Sequence, residues 1–168
     1  MAKVITAPSR NVNIMLLSKN FSLKELIASQ SATRRGIDNS PTPQATLKLK
    51  ALAENILQPV RDHFGPTTVT SGYRSPKLNK AVGGSTTSQH SLGEAADFEV
   101  FGVSTYDVCA WIKDNLDFDQ LIMEGYDPKE GPNSGWIHCS YREGANRKEV
   151  LTATFVKGKA VYSRGLNV

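Results

Sequence analysis

Three residues of types that bind metal ions occur in two short stretches of the sequence. His90 and Asp97 lie seven positions apart in SQHSLGEAADFEV, residues 88–100, and His138 lies in GWIHCSY, residues 135–141. Two imidazoles and one carboxylate suit zinc and leave its fourth position open for water. Spacing alone leaves ordinary alternatives open: a solvated loop histidine, a turn-facing carboxylate and a core histidine.

AADFEV in the first stretch and GWIHCSY have the composition of strands, in which every second side chain shares a face. Asp97 then shares a face with Glu99, while Ala96, Phe98 and Val100 point into a core. In the second stretch, His138 shares a face with Trp136. Gly93 lets the chain turn sharply between the first histidine and Asp97. The pattern therefore allows all three side chains to reach one ion.

The elements that must position these residues are helices early in the chain and strands mostly late. Pro59 lies inside the second helix and should kink or split it. The capping and stop residues are Ser22 with Glu25 and Gly36 for the first helix, Thr42 with Pro43 and Gly65 for the second, and Ser104 with Asp107 for the third.

The strands are predicted in TTVTSGYRS, AADFEV, DQLIMEGY and GWIHCSY, followed by a hairpin that turns at Lys157 and Gly158. This order favours an α+β fold with an antiparallel sheet. We expect an N-terminal arm at residues 1–18 and a single domain at residues 19–168, because no repeat or linker divides the chain.

Composition narrows the class of protein. The chain has 168 residues, of which 39% are hydrophobic and 21% charged, and a net charge of +4 that is spread along the sequence. The sequence contains no stripe of basic and aromatic residues, so it gives no indication of nucleic-acid binding. The apolar run NIMLL is too short for a signal segment or a membrane span. Cys109 and Cys139 form no disulfide framework, so we expect a reduced compartment.

Three segments together resemble a known family: SGYRSPKLN, GGSTTSQHSLGEAADFEV and GWIHCSY. The chain resembles the zinc D-alanyl-D-alanine carboxypeptidases and L-alanyl-D-glutamate endopeptidases, bacterial and phage peptidoglycan peptidases that share a fold with the hedgehog signalling domain. The resemblance extends from about Phe21 to Tyr141. The S-x-H-x-x-G-x-A-x-D motif is met by Ser88, His90, Gly93, Ala95 and Asp97, and the W-x-H element by Trp136 and His138.

The resemblance implies that His90, Asp97 and His138 are the zinc ligands. It implies a small antiparallel sheet backed by helices, with the metal in a groove on the sheet. It also implies that Arg74, sixteen positions before the first of these histidines, binds substrate and orients it for reaction. A guanidinium holds a peptide carboxylate with two hydrogen bonds, although a surface salt bridge remains the alternative for this arginine.

Two further groups of residues complete the predicted site. Ser88 and Gln89 are predicted to hydrogen-bond substrate. Many relatives place the catalytic carboxylate three positions before the last histidine, and that position is Gly135 here. A zinc peptidase needs a base, and Glu124 in DQLIMEGY is the best substitute if its strand neighbours GWIHCSY. An exposed strand-end carboxylate is the alternative for Glu124.

Glu94 and Glu99 are the other candidates for the base, and we expect Glu94 to be solvated because it lies in the ligand loop. The resemblance implies a zinc-dependent peptidase that hydrolyses an amide bond in peptidoglycan stem peptides. We expect a monomeric phage lysis enzyme that stays in the host cytoplasm until its release to the wall, or a virion-borne enzyme. The alternative is an inactive, metal-stabilised binding module of the same fold, which the glycine at position 135 favours.

Overall fold

The computed structural model describes residues 14–168. Within the arm predicted at residues 1–18, the first thirteen residues lie outside the described part, and Leu17 is buried while Leu16 pairs with Ser22. The helices are α1 (Leu23–Ile27), α2 (Gln30–Arg35), α3 (Pro43–Leu52), α4 (Gln58–Phe64), α5 (Pro76–Ala81) and α6 (Thr105–Asn115). The strands are β1 (Thr67–Ser71), β2 (Ala95–Val100), β3 (Gln120–Glu124), β4 (Trp136–Ser140), β5 (Glu149–Val156) and β6 (Lys159–Arg164).

The six strands form one sheet in the order β1-β2-β4-β3-β5-β6. Every neighbouring pair is antiparallel except β3 and β5, which are parallel. The prediction of a small antiparallel sheet is therefore wrong in size and in strand direction, whereas the α+β class is confirmed. The chain leaves β4 and crosses to the far side of β3, so β5 must run in the direction of β3. Local sequence pattern does not reveal such a crossing.

The hairpin predicted at the end of the chain is confirmed. β5 pairs with β6, and Lys157 and Gly158 form the turn with positive φ angles of 49° and 75°. Two consecutive positive φ angles are typical of the tight turns that match the twist of the adjoining strands.

The first predicted helix begins and ends where its capping residues indicate. Ser22 and Glu25 form the reciprocal capping box, and Gly36 ends the segment in the left-handed conformation. A single helix over this segment is nevertheless wrong, because Ala28 is extended and Ser29 caps a separate α2.

The break follows from a contact with the chain after β1. The backbone N–H of Tyr73 donates to the carbonyl oxygen of Leu26 at 2.7 Å, and a continued helix would need that oxygen for Gln30. Gly72 makes the approach possible, because a Cβ atom there would lie 2.2 Å from the same oxygen. A tertiary contact therefore overrides the local helical pattern.

The second predicted helix starts at the Thr42 cap, as expected, and runs as one helical path to Phe64. Between α3 and α4 it widens into a π-helical turn at Ala53–Leu57. Pro59 lies in the first turn of α4, just after Gln58, and a proline removes one helical hydrogen bond and crowds the carbonyl four residues earlier. The predicted disruption thus takes the form of a π turn, and not of a sharp kink or a gap.

The helices pack on one face of the sheet and enclose the core. Leu49 and Ile56 from the long helical path are fully buried, as are Phe98 of β2, Leu121 of β3 and Ile112 of α6. The other face of the sheet carries three residues of the predicted site, Asp97, His138 and Glu124. Within residues 14–168, no helix combines the length and apolar character needed to cross a bilayer.

Candidate metal centre and groove

The structure brings together the three residues predicted to bind metal. Asp97 and His138 are direct cross-strand partners on β2 and β4, so their side chains share one face of the sheet. His90 comes from a short 3₁₀ turn, Gln89–Leu92, that leads into β2. One ligand atom from each residue lies within 4.8 Å of the others. His90 Nε2 and His138 Nδ1 lie 3.4 and 2.9 Å from Asp97 Oδ1.

The ring of His90 is oriented by the backbone. Its Nδ1 lies 2.7 Å from the carbonyl oxygen of Gly72, to which it donates, and this leaves Nε2 facing Asp97. The turn itself depends on Gly93, which has a φ of 77° and whose Cβ, if present, would lie 2.5 Å from the carbonyl oxygen of Ala45. The predicted turn at this glycine is confirmed. Glycine is required there both by the positive φ angle and by the close packing of the turn on α3.

The three side chains fit a zinc ion by their donor chemistry. Burial alone would raise the pKa of Asp97, but the adjacent imidazoles of His138 and His90 hold it well below its ordinary value. An ionised carboxylate therefore faces two imidazole nitrogens in a largely buried position. Two nitrogens and one anionic oxygen form a set typical of catalytic zinc.

These residues lie in an open groove of about 890 Å³ on the sheet. The groove is also lined by every other residue predicted for the site, namely Arg74, Ser88, Gln89 and Glu124. The candidate metal centre is therefore open to a large ligand along one side.

Arg74 follows β1 and reaches the groove from the edge of the sheet opposite β5 and β6. It takes part in none of the ion pairs found within residues 14–168. Its Nε atom is buried without a hydrogen-bond partner in the described part of the chain. The structure thus offers no support for the alternative of a surface salt bridge.

Glu124 lies on the strand next to the one that carries His138. The predicted adjacency is confirmed, because β3 pairs with β4, with Glu124 opposite Trp136 and Ile122 opposite His138. Burial, and then the negative charge of Asp97, raise the pKa of Glu124, while the positive charges around it act in the opposite direction. A half-buried carboxylate with a raised pKa beside the candidate metal centre is suited to proton transfer.

The glycine at the position where relatives have a carboxylate is required by the backbone. Gly135 has a φ of 68°, and a Cβ atom there would lie 2.2 Å from the carbonyl oxygen of Glu124 and 2.6 Å from the nitrogen of Tyr126. A side chain at position 135 therefore needs a shift of β3 or β4. In this backbone, position 135 therefore does not supply the base.

The two other glutamates differ from each other. Glu94 is buried, with Lys48 Nζ at 2.8 Å and Arg142 Nε at 3.8 Å from its carboxylate. The expectation that Glu94 is solvated is thus wrong, because the loop that carries it packs against α3. Glu99 is exposed and lines the groove on the same face as Asp97.

Several residues of the groove were not identified from the sequence. Tyr162 of β6 and the loop residue Arg147 line it, and Asp119 is fully buried beneath it. Tyr162 reaches the groove because Ala153, its partner on β5, pairs in turn with Glu124. Only knowledge of the β3–β5 pairing would have revealed this neighbour. For Asp119, the apolar residues around it in FDQLI were an available signal of burial.

Together, the fold and the groove define a class: an α+β protein with a His-Asp-His candidate metal centre on the open face of its sheet. A family model of peptidase M15 matches residues 19–140, so the chain belongs to the peptidase M15 family. This is a family of metallopeptidases that act on peptidoglycan-related substrates. No curated protein sequence matches the chain. The matched region includes the whole predicted site and ends with β4, so β5 and β6 lie beyond it.

Proposed function

We propose that the protein is a zinc-dependent peptidase that hydrolyses an amide bond in peptidoglycan stem peptides. The observation that carries the proposal is the convergence of His90, Asp97 and His138 in one groove with an arginine that forms no ion pair within residues 14–168 and a carboxylate of raised pKa. Membership in the peptidase M15 family supports the class of reaction and of substrate.

In this proposal His90, Asp97 and His138 hold the zinc ion. When bound, zinc would polarise the scissile carbonyl and lower the pKa of a water molecule. The hydrogen bond from His90 to Gly72 keeps the correct ring nitrogen directed at the ion.

Glu124 is the proposed general base. It accepts a proton from the attacking water as the bond from the water oxygen to the amide carbon forms. It then returns the proton to the leaving amine as the carbon–nitrogen bond breaks. Its raised pKa makes it a stronger base than an exposed glutamate.

Arg74 is the proposed substrate-binding and orienting residue. Its guanidinium can hold a terminal or side-chain carboxylate of a stem peptide with two hydrogen bonds, because no carboxylate of the described chain is paired with it. Ser88 and Gln89 line the same groove and are proposed to add hydrogen bonds.

The test is digestion of purified peptidoglycan by the zinc-loaded protein, followed by mass spectrometry of the released fragments. We expect new amino and carboxyl termini at one type of amide bond, and no such products from His138→Ala. This experiment also identifies the bond that is cut. A zinc-loaded wild type that binds wall fragments and cuts none would instead establish the binding module, the second candidate that Gly135 favours.

The biological setting is part of the proposal. We propose a phage lysis enzyme that reaches the wall from the host cytoplasm, with a virion-borne enzyme as the alternative setting. Mass spectrometry of purified particles and of the lysed-cell fraction distinguishes the two.

A further inference from the structure

A fully buried carboxylate lies beneath the groove, just before β3. Asp119 Oδ1 accepts from the backbone nitrogen and from Nε of Arg147, at 3.2 and 2.9 Å. Its Oδ2 accepts from Nη2 of the same arginine at 2.8 Å and from Nε2 of Gln89 at 2.9 Å. The hydrogen bond from Arg147 holds the pKa of Asp119 below its ordinary value, so this carboxylate is ionised at neutral pH.

The amide nitrogen of Gln89 has a second carboxylate beside it. Its Nε2 lies 3.4 Å from Oε2 of Glu94, whose other oxygen accepts from Lys48 at 2.8 Å. An ionised carboxylate can only accept hydrogen bonds, so the NH₂ group of Gln89, and not its oxygen, must face both acids. Each amide proton is thereby engaged within the protein.

The amide oxygen of Gln89 is then the one polar side-chain atom of this residue left for a ligand. It has no hydrogen-bond partner within residues 14–168. The described chain has three buried side-chain atoms without partners, Arg74 Nε, Asn79 Oδ1 and Ser91 Oγ, and the oxygen of Gln89 is not one of them. Because Gln89 lines the groove beside His90, this oxygen is accessible from the groove.

We propose that Gln89 is a specificity-determining residue that accepts a hydrogen bond from an N–H group of the substrate, with Asp119 and Arg147 as the positioning residues that hold its amide in this orientation. The inference rests on the proposed function for the nature of the substrate. An amide oxygen cannot donate, so this position discriminates against a substrate that presents only an acceptor there. Arg147 lies beyond the region that the family model matches.

The first experiment measures binding without turnover. A synthetic stem pentapeptide, and analogues in which each backbone N–H is replaced in turn by an ester oxygen, are titrated calorimetrically into zinc-loaded Glu124→Gln protein. We expect one replacement to weaken binding by about 3- to 10-fold, the range of a single neutral hydrogen bond. In the Glu124→Gln/Gln89→Met protein, the same replacement should leave the affinity unchanged.

The second experiment tests the positioning residues with a matched pair of variants. Arg147→Met should bring the peptide-to-ester affinity ratio close to one, because the carboxylate of Asp119 loses the two guanidinium hydrogen bonds that fix it, can turn away from Gln89, and no longer holds the amide in one orientation. Arg35→Met removes an equal charge on exposed α2, away from the groove, and should keep the wild-type ratio. A merely structural role of Arg147 would lower all affinities together and leave the ratio unchanged.

The third experiment needs no substrate. Nuclear magnetic resonance of the Gln89 side-chain NH₂ group should show two protons protected from exchange with water in the wild type, and fast exchange in Arg147→Met. Fast exchange in the wild type would overturn the proposed orientation. If ester replacement weakens binding equally with and without the Gln89→Met substitution, Gln89 has no role in specificity. That result would leave the peptidase assignment intact. If the wild type binds no stem peptide, the proposed function fails and the NH₂ measurement still decides the orientation of Gln89.

Discussion

Asp97 and His138 face each other directly across β2 and β4, with Nδ1 of the histidine 2.9 Å from Oδ1 of the aspartate. Side chains alternate along a strand, so a slip of one residue between these strands would turn one of the two into the core. The register is held by the buried pair of Phe98 and Ile137 on the opposite face. Core packing on one side of the sheet therefore determines whether the candidate metal centre on the other side is assembled.

The first prediction concerns this centre. The purified protein should bind about one zinc ion per chain, and His138→Ala should lose it while remaining folded, because one of three ligands is removed. Elemental analysis and circular dichroism measure the two properties. His63→Ala is the matched control, because His63 lies on α4 and stacks on Trp111, away from the groove. Equal zinc in the wild type, His138→Ala and Asp97→Ala would rule out the site.

The second prediction concerns Arg74. Replacement by alanine should lower kcat/KM on stem peptides by about thirty- to a thousand-fold. This corresponds to roughly 2–4 kcal/mol of transition-state stabilisation, because a charged contact made with two hydrogen bonds is lost. Zinc content should not change, because Arg74 is not a proposed ligand. Arg35→Ala, on exposed α2, serves as the control for the loss of charge. Unchanged kinetics in Arg74→Ala would remove this residue from the proposed site.

The third prediction concerns the base. Glu124→Gln keeps the shape of the side chain but removes proton transfer, so kcat should fall by about 10²- to 10⁴-fold with zinc content and stability unchanged. Glu99→Gln alters an exposed carboxylate on the same face of the groove and should remain active. Full activity in Glu124→Gln would assign the base to another residue.

The pH dependence of the wild type adds a further test of Glu124. Burial and the charge of Asp97 raise the pKa of Glu124 above its ordinary value of 4.5. A base works in its ionised form, so activity is expected to be complete above this raised pKa and to decrease as the pH falls through it. The acidic limb of the kcat profile should consequently have its midpoint above 4.5. A midpoint below that value would contradict the environment found for this carboxylate.

The fourth prediction concerns stability. Asp119→Ala removes a buried carboxylate that accepts from Arg147 and Gln89, and should lower the free energy of unfolding by about 2–3 kcal/mol at neutral pH. The pKa of Asp119 is lowered in the fold, so its contribution is present above the ordinary value of 3.8 and is lost as the pH falls through the lowered pKa. Urea unfolding at several pH values should thus show the difference from wild type shrinking in acid. Asp114→Ala, an exposed residue of α6, should show almost no difference.

Local signals were sufficient for much of the fold and of the candidate site. Alternation in AADFEV and GWIHCSY predicted the shared face of Asp97 and His138, and the Lys157–Gly158 turn and the Ser22 cap are determined by neighbouring residues. These features depend on contacts between residues close in sequence, or on the two-residue period of a strand. They can therefore be predicted from the sequence alone.

The features that the sequence did not predict all depend on contacts between distant segments. The break after α1 arises where Tyr73 takes the carbonyl oxygen of Leu26, and the burial of Glu94 arises where its loop meets Lys48 of α3. The parallel pairing of β5 with β3 is likewise non-local, and it brings Tyr162 to the groove. No period or motif within one segment encodes such contacts.

The last prediction concerns Gly135. Restoring the carboxylate of the relatives with Gly135→Glu should not create a better enzyme, because a Cβ atom at this position would lie 2.2 Å from the carbonyl oxygen of Glu124. Gly135→Ala adds only the Cβ atom and so tests the steric conflict without a carboxylate. It should lower the free energy of unfolding by about 2–5 kcal/mol, the sum of left-handed backbone strain and of a forced shift of β3 against β4. Thermal unfolding measures this loss for both variants.

Gly144→Ala is the matched control for this loss, since Gly144 has nearly the same φ, 70° against 68°, and open space around its Cβ position. It should show the backbone strain alone, about 1–2 kcal/mol. Activity should fall in Gly135→Ala and stay near wild type in Gly144→Ala, because only the first displaces the strand that carries Glu124. Higher peptidase activity in Gly135→Glu would show that the backbone yields there and that position 135 can hold the base.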